Sequence, residues 1–298
     1  MYIEQAKTKN FNPILYIFIP FGFMALMILN YIFSQGIDIN QVMKDSIAKF
    51  GVNGTFIMAV LPLSIGCLML WFWVKFIHGQ TLTSLTTSRP KVDWRRIFFA
   101  FGVWAFITIA LTLAAYFSAP ENFVFNFKPQ KFWIFFVLAI LLIPLQTSFE
   151  EYLFRGYIMQ GLGIITKSRA IPFIVTSTLF GLMHIANPEV GKLGYIIMIY
   201  YIGTGFFLGI LTLMDEGLEL ALGFHAANNL ITALLVTSNW GAFQTHSILK
   251  DVSLPSAGFD ILLPVFILYP ILLIIFAKKY HWNWSQWKQK LFGKITFN

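Results

Sequence analysis

The sequence predicts an all-α, polytopic membrane helix bundle of about eight transmembrane helices, with the N and C termini cytoplasmic. Three observations carry that prediction. The first is composition: 57% of the 298 residues are hydrophobic and only 11% are charged, against about 25% in a soluble domain. A mean hydropathy of +0.71 leaves too little polar surface to coat a globule in water, so lipid is the natural solvent. The second is a series of long apolar runs, and the third is the placement of Lys and Arg between them.

A span needs about 20 apolar residues. Candidate spans fall at roughly 12–34, 54–77, 97–118, 131–165, 171–187, 194–214, 218–238 and 260–279. The first follows Lys7 and Lys9 but is too long for a signal-peptide core and lacks a small-x-small cleavage site, so it is expected to be retained. Between the first two spans, Ile39, Val42, Met43, Ile47 and Phe50 recur at helical spacing, which predicts a short interfacial helix. The fourth run would measure roughly 52 Å as one straight helix, against a hydrocarbon core of about 30 Å. It must tilt, break or leave the membrane, and Pro144 is the expected break. After the last span, Trp282, Trp284 and Trp287 mix with lysines, as in an aromatic and basic belt at the inner headgroups.

With the N terminus inside, the outer segments hold Lys44, Lys49, Lys128, Lys131, Lys192 and Lys250. The other fifteen of the 21 basic residues fall to inner segments. That bias supports the eight-span arrangement. It also explains the net charge of +8 without nucleic acid, because no basic face with interleaved aromatics stands outside the spans. A lone cysteine, Cys67, can form no intrachain disulfide and reads as packing. His78 and His281, at predicted cytoplasmic ends, and His246, in an outer loop, read as surface histidines. The acidic turn Asp215, Glu216 and Glu219 reads as a solvated inner loop.

Ionisable groups at membrane depth are costly and by default mark function. They stand in three places. Glu150 and Glu151 lie in the fourth run with Arg155, and Glu151 and Arg155 are i, i+4 neighbours that can neutralise each other. Glu150 lies about 100° round the helix, where Arg155 serves it less well. Phe180 and His184 lie in the fifth run, with Gly181 opening room for a neighbouring helix. His225 and Asn229 lie in the seventh, again i, i+4 and on one face. Helical rise allows all three clusters to meet inside the bundle. Each taken alone is equally compatible with polar glue between helices. No H-E-x-x-H or G-x-S-x-G motif is present.

At these residues the chain resembles the CAAX prenyl protease and bacteriocin-processing (CPBP) intramembrane proteases. The family pattern is E-E-x-x-x-R, F-x-x-x-H and H-x-x-x-N on separate helices. It stands here in order as Glu150, Glu151 and Arg155, then Phe180 and His184, then His225 and Asn229. The resemblance covers roughly 131–238, and the whole chain, 1–298, is expected to form a single transmembrane domain around that catalytic core.

The resemblance implies an endopeptidase acting on a membrane-associated peptide or protein substrate. Glu150 would activate water with help from His184, and His225 and Asn229 would stabilise the oxyanion. Glu151, Arg155 and Phe180 would support them. Zinc is an open alternative, with Glu150, His184 and His225 as its ligands if it is present. The expected setting is a bacterial cytoplasmic membrane, with the active site toward the cytoplasmic side. Two other classes stay open on the residues alone: a non-catalytic scaffold or bacteriocin-immunity-type protein, and a transporter with buried proton or ion sites.

Overall fold

A computed structural model describes residues 1–8 and 10–296. Lys9, one of the inner basic residues above, lies outside the described residues. The apolar runs become helices α1 Leu15–Ser34, α2 Ile39–Phe76, α3 Trp94–Ser118, α4 Pro129–Thr166, α5 Ala170–Leu182, α6 Ile197–Asp215, α7 Glu219–Leu235 and α8 Ile261–Tyr280. The protein is a polytopic helical bundle. Among the described residues six helices, α1–α4, α6 and α8, are long and apolar enough to cross a membrane. The fifth and seventh runs form shorter helices of 13 and 17 residues, or about 20 and 26 Å at the usual rise. These two carry polar clusters and pack inside the bundle, α7 along α3 and α4, and α5 along α6.

Local chemistry sets the helix ends and bends. Asp38 caps α2, its Oδ1 accepting from the amides of Asn40 (3.0 Å) and Gln41 (3.3 Å). Gly51, at φ 72° and ψ 169°, then kinks α2, so residues 39–50 form a separate segment ahead of the span. Only glycine adopts that backbone without strain. Val42 and Phe50 on this segment are exposed.

The fourth run corrects one expectation. Pro144 does not break it, because α4 runs through the proline as helix and Thr147 Oγ1 donates back to the carbonyls of Ile143 (3.0 Å) and Pro144 (3.3 Å). Membrane helices tolerate an internal proline. The irregular stretch is instead the π-helical turn Tyr152–Ile158, which begins directly after Glu150 and Glu151. A wider π turn re-aims side chains and is common at functional sites.

One end of the bundle gathers the N-terminal segment, residues 78–96, the α4–α5 turn, the α6–α7 turn and the C-terminal segment. Arg89 bonds Asp215 (3.0 Å) and Glu219 (3.2 Å). Trp282 Nε1 donates to Asp215 Oδ1 (2.9 Å). Arg169 and Lys290 face Glu216, and the Lys167 carbonyl accepts from the amide of Ile295. Asp215 and Glu219 are therefore buried ion-pair partners, not members of a solvated loop. Trp282 is likewise buried, whereas Trp284 and Trp287 remain exposed. His78 is also buried, its Nε2 within 2.8 Å of the Tyr157 hydroxyl, so it is no surface histidine. His281 is exposed, and His246 is half-buried.

The opposite end carries a small sheet that the helical pattern does not announce. Strands β1 Phe123–Phe125, β2 Val236–Ser238 and β3 Leu249–Asp251 lie in the order β1-β3-β2. β1 and β3 are antiparallel with Phe123 opposite Asp251, while β2 and β3 are parallel with Val236 opposite Leu249. The Glu189 carboxylate accepts from the Ala242 amide (2.6 Å), and Phe243 meets Phe56 edge-on. These contacts tie the α5–α6 and α7–α8 connections to the start of α2.

Glycine lets α5 and α6 approach closely. A Cβ on Gly181 would lie 2.7 Å from Cα and 2.8 Å from N of Ile202. Gly181→Val is expected to cost at least about 1–3 kcal/mol through overpacking. Thermal unfolding in detergent checks this, and an unchanged midpoint would mean that the two helices do not pack this closely.

Candidate active site

The three polar clusters converge. Glu151 is fully buried, and its Oε1 accepts both from Arg155 Nη1 (3.0 Å) and from His225 Nδ1 (2.8 Å). Arg155, also fully buried, sends Nη2 to the carbonyl of Gly205 on α6 (2.9 Å). Its guanidinium carbon lies 4.1 Å from the centre of the Phe180 ring. Coulomb attraction alone would not make this pair a net stabiliser, because desolvating both charges is costly. Its consequence is geometric, since two charges held to one another and to α6 fix how α4, α6 and α7 meet.

Phe180 touches all three clusters. Its ring faces Arg155 and meets the His225 ring edge-on at 5.6 Å. Its carbonyl oxygen accepts from His184 Nδ1 at 2.9 Å. A carbonyl only accepts, so Nδ1 carries a proton, and in the neutral form of the ring the lone pair is on Nε2. The His184 ring also stacks on Tyr201, at 4.4 Å between centroids and 15° between planes.

Glu150 is 3% exposed. Gln146 Nε2 donates to its Oε1 in a short bond. Its Oε2 accepts no hydrogen bond from the described residues, and His225 Nε2 stands 3.6 Å from it. A chain of amides leads up to this carboxylate. Trp104 Nε1 (3.0 Å) and the Tyr200 hydroxyl (3.4 Å) donate to Asn228 Oδ1. Asn228 Nδ2 donates to Asn229 Oδ1 (3.0 Å), and Asn229 Nδ2 donates to Gln146 Oε1 (3.3 Å). Each acceptor oxygen fixes the orientation of its amide, so every donor in the chain points toward Glu150. Nδ2 of an asparagine has two N–H groups, and Gln146 takes one of Asn229's.

Glu150, His184, Asn228 and Asn229 border a cavity of about 870 Å³, within the usual range of ligand pockets. His225 does not line it, but lies behind Glu150, 5% exposed and bonded to Glu151. Three of the four expected catalytic residues thus share the hollow, and the fourth lies behind it. Gln146, Asn228, Trp104 and Tyr200 were not expected at the site. Gln146 had a legible signal, a polar residue one turn before Glu150 in an apolar run. Asn228 stood beside the motif, whereas Trp104 and Tyr200 look like ordinary bundle aromatics.

Glu150 Oε2, His184 Nε2 and His225 Nε2 each keep an atom with no hydrogen bond to the described residues. Among the described residues, however, no group of three His, Cys, Asp or Glu side chains is placed to hold a metal ion. The three residues do not fit zinc as they stand.

A helical membrane bundle with a buried carboxylate, two histidines and oriented amides around a cavity defines a candidate membrane hydrolase. The comparisons point the same way. Residues 129–231 match the family described as type II CAAX prenyl endopeptidase Rce1-like. A 168-residue stretch is 33% identical to the uncharacterized protein YyaK of Bacillus subtilis (strain 168). That match covers 56% of this chain and 56% of that protein, so the chain spans about half the length of the relative. No solved structure matches the chain. Residues 129–231 are thus similar to a family of CAAX-type endopeptidases, and six long apolar helices mark the chain as an integral membrane protein.

Removing one partner of the central ion pair leaves a buried charge uncompensated. Arg155→Met is expected to destabilise the bundle by about 3–5 kcal/mol, and the double variant Glu151→Gln/Arg155→Met to recover part of that loss. Thermal unfolding in detergent measures both. A double variant whose loss equals the sum of the Arg155→Met and Glu151→Gln losses would show that the two residues are not energetically coupled.

Proposed function

We propose that this chain is an intramembrane endopeptidase of a bacterial cytoplasmic membrane, with residues 131–238 as its catalytic core. It hydrolyses a peptide bond in a membrane-associated peptide or protein. The observation that carries this reading is Glu150, a buried carboxylate that borders the cavity and keeps one oxygen without a hydrogen bond. The Rce1-like match over the same segment supports it.

Hydrolysis needs an activated water and donors aimed at the developing oxyanion. Glu150 takes a proton from water as the water oxygen bonds to the scissile carbonyl carbon. His184 helps orient that water by accepting from it at Nε2. The second N–H of Asn229 Nδ2, the one Gln146 does not take, donates to the oxyanion. As the tetrahedral species collapses, the C–N bond breaks and Glu150 returns its proton to the leaving nitrogen. The products are a new carboxyl group and a new amine.

His225 lies behind the cavity wall, so its part is to hold Glu151 and to face the Glu150 carboxylate. This differs from the oxyanion role that the family resemblance implies for it. Glu151, Arg155 and Phe180 position the others. Gln146 and Asn228 belong with them, because they set the direction in which the Asn229 amide points.

The test is cleavage of candidate membrane peptides by purified protein in proteoliposomes. Glu150→Gln is expected to lower kcat by at least about 10²–10⁴-fold, the usual contribution of a general base. Asn229→Ala is expected to lower it by about 10²–10³-fold through loss of an oxyanion donor. Equal turnover by wild type and Glu150→Gln would remove the base and leave a scaffold or immunity-type role.

A further inference from the structure

The cavity does not sit symmetrically in the bundle. Its floor is at Gln146, Glu150 and Asn229, and its rim is formed by Asn187, Glu189, Ser238, Trp240 and Asp251. Those rim residues belong to the α5–α6 and α7–α8 connections, at the end that carries the small sheet. The ion-paired cluster of Arg89, Asp215, Glu219 and Arg169 lies at the other end.

The basic residues divide between the same two ends. At the sheet end are Lys44 and Lys49 before the Gly51 kink, Lys128 and Lys131 at the start of α4, Lys192, and Lys250 in β3. The opposite end holds thirteen described Lys and Arg, and Arg155 lies within the bundle. Thirteen against six over short connections is a strong bias, and it places the richer end in the cytoplasm. The tertiary contacts matter here, because they bring the cavity lining that comes from the two connections to the poorer end.

We infer that the cavity opens on the extracytoplasmic side of the membrane, so that its substrate is a segment presented there. This reverses the cytoplasmic-side opening expected from the sequence. It rests on the proposed endopeptidase reading only for what happens to the segment once it is inside. The reaction then follows translocation, since an export step must first carry the scissile segment across the bilayer. A C-terminal tail that stays in the cytosol cannot reach the site. The lining agrees with this exclusion: no Lys or Arg borders the cavity among the described residues, and its charged members are Glu150, Glu189 and Asp251. A free terminal carboxylate would find no cation there.

Sidedness can be measured without any activity. In a Cys67→Ala background, Asn239→Cys places a thiol on an exposed residue between rim residues Ser238 and Trp240, and Gln286→Cys places one at the opposite end. A membrane-impermeant maleimide is applied to right-side-out spheroplasts of an expressing bacterium, and then to the same membranes after detergent permeabilisation. The expected result is labelling of Asn239→Cys in intact spheroplasts and of Gln286→Cys only after permeabilisation. The reverse order overturns the inference, as does equal labelling of both in intact spheroplasts. A cysteine at 239 that reacts in neither preparation also overturns it, because the mouth would then not be open there. The proposed chemistry fails separately, through the Glu150→Gln comparison in proteoliposomes.

Discussion

A charge inside a membrane bundle has to be neutralised by another part of the same bundle, and Glu151 shows how far that constraint reaches. Its carboxylate holds Arg155 within α4 and His225 on α7, while Arg155 reaches the Gly205 carbonyl on α6 and lies over the Phe180 ring of α5. Four helices are registered against one another by groups that could not be left unpaired at several kcal/mol each. Close helix contact follows from the same need, since Gly181 and Gly205 have no side chain to separate α5 from α6. The π turn at Tyr152–Ile158 falls where α4 must direct both carboxylates and Arg155 inward.

With that framework in place, the cavity can carry polar groups without collapsing the fold. Glu150 is the neighbour of the paired carboxylate but is not itself ion-paired to Arg155. It receives a directed amide chain that starts at Trp104 and Tyr200 and ends at Gln146. Such a chain has few degrees of freedom, because each amide oxygen is already occupied. Preorganised donors of this kind need little rearrangement when charge develops in a transition state. The connections that line the cavity and the ion-paired cluster of Arg89, Asp215 and Glu219 lie at opposite ends of the bundle.

Much of this was legible in residue order. Apolar runs, sparse charge and the Lys and Arg bias identified a membrane bundle, and the three motifs named residues that do meet. Several local readings failed. Pro144 looked like a break, but its lost hydrogen bond is only one local term, and the packed helix runs through it. Asp215, Glu219 and His78 looked solvent-exposed because they end apolar runs, and distant chain segments cover them. The β1-β3-β2 sheet joins three connections far apart in sequence, so no local period could reveal it.

Residue order by itself determined the solvent of this protein, the number of its apolar runs and the chemical identity of its buried groups, because these depend on composition and short-range spacing. Only the tertiary structure decided that His225 stands behind Glu150 instead of beside the cavity, and that Gln146 and Asn228 aim the Asn229 amide. It also decided which connections contribute to the cavity lining. Those facts depend on which helices pack together and at what rotation, and that is settled by the joint neutralisation of buried charges across helices.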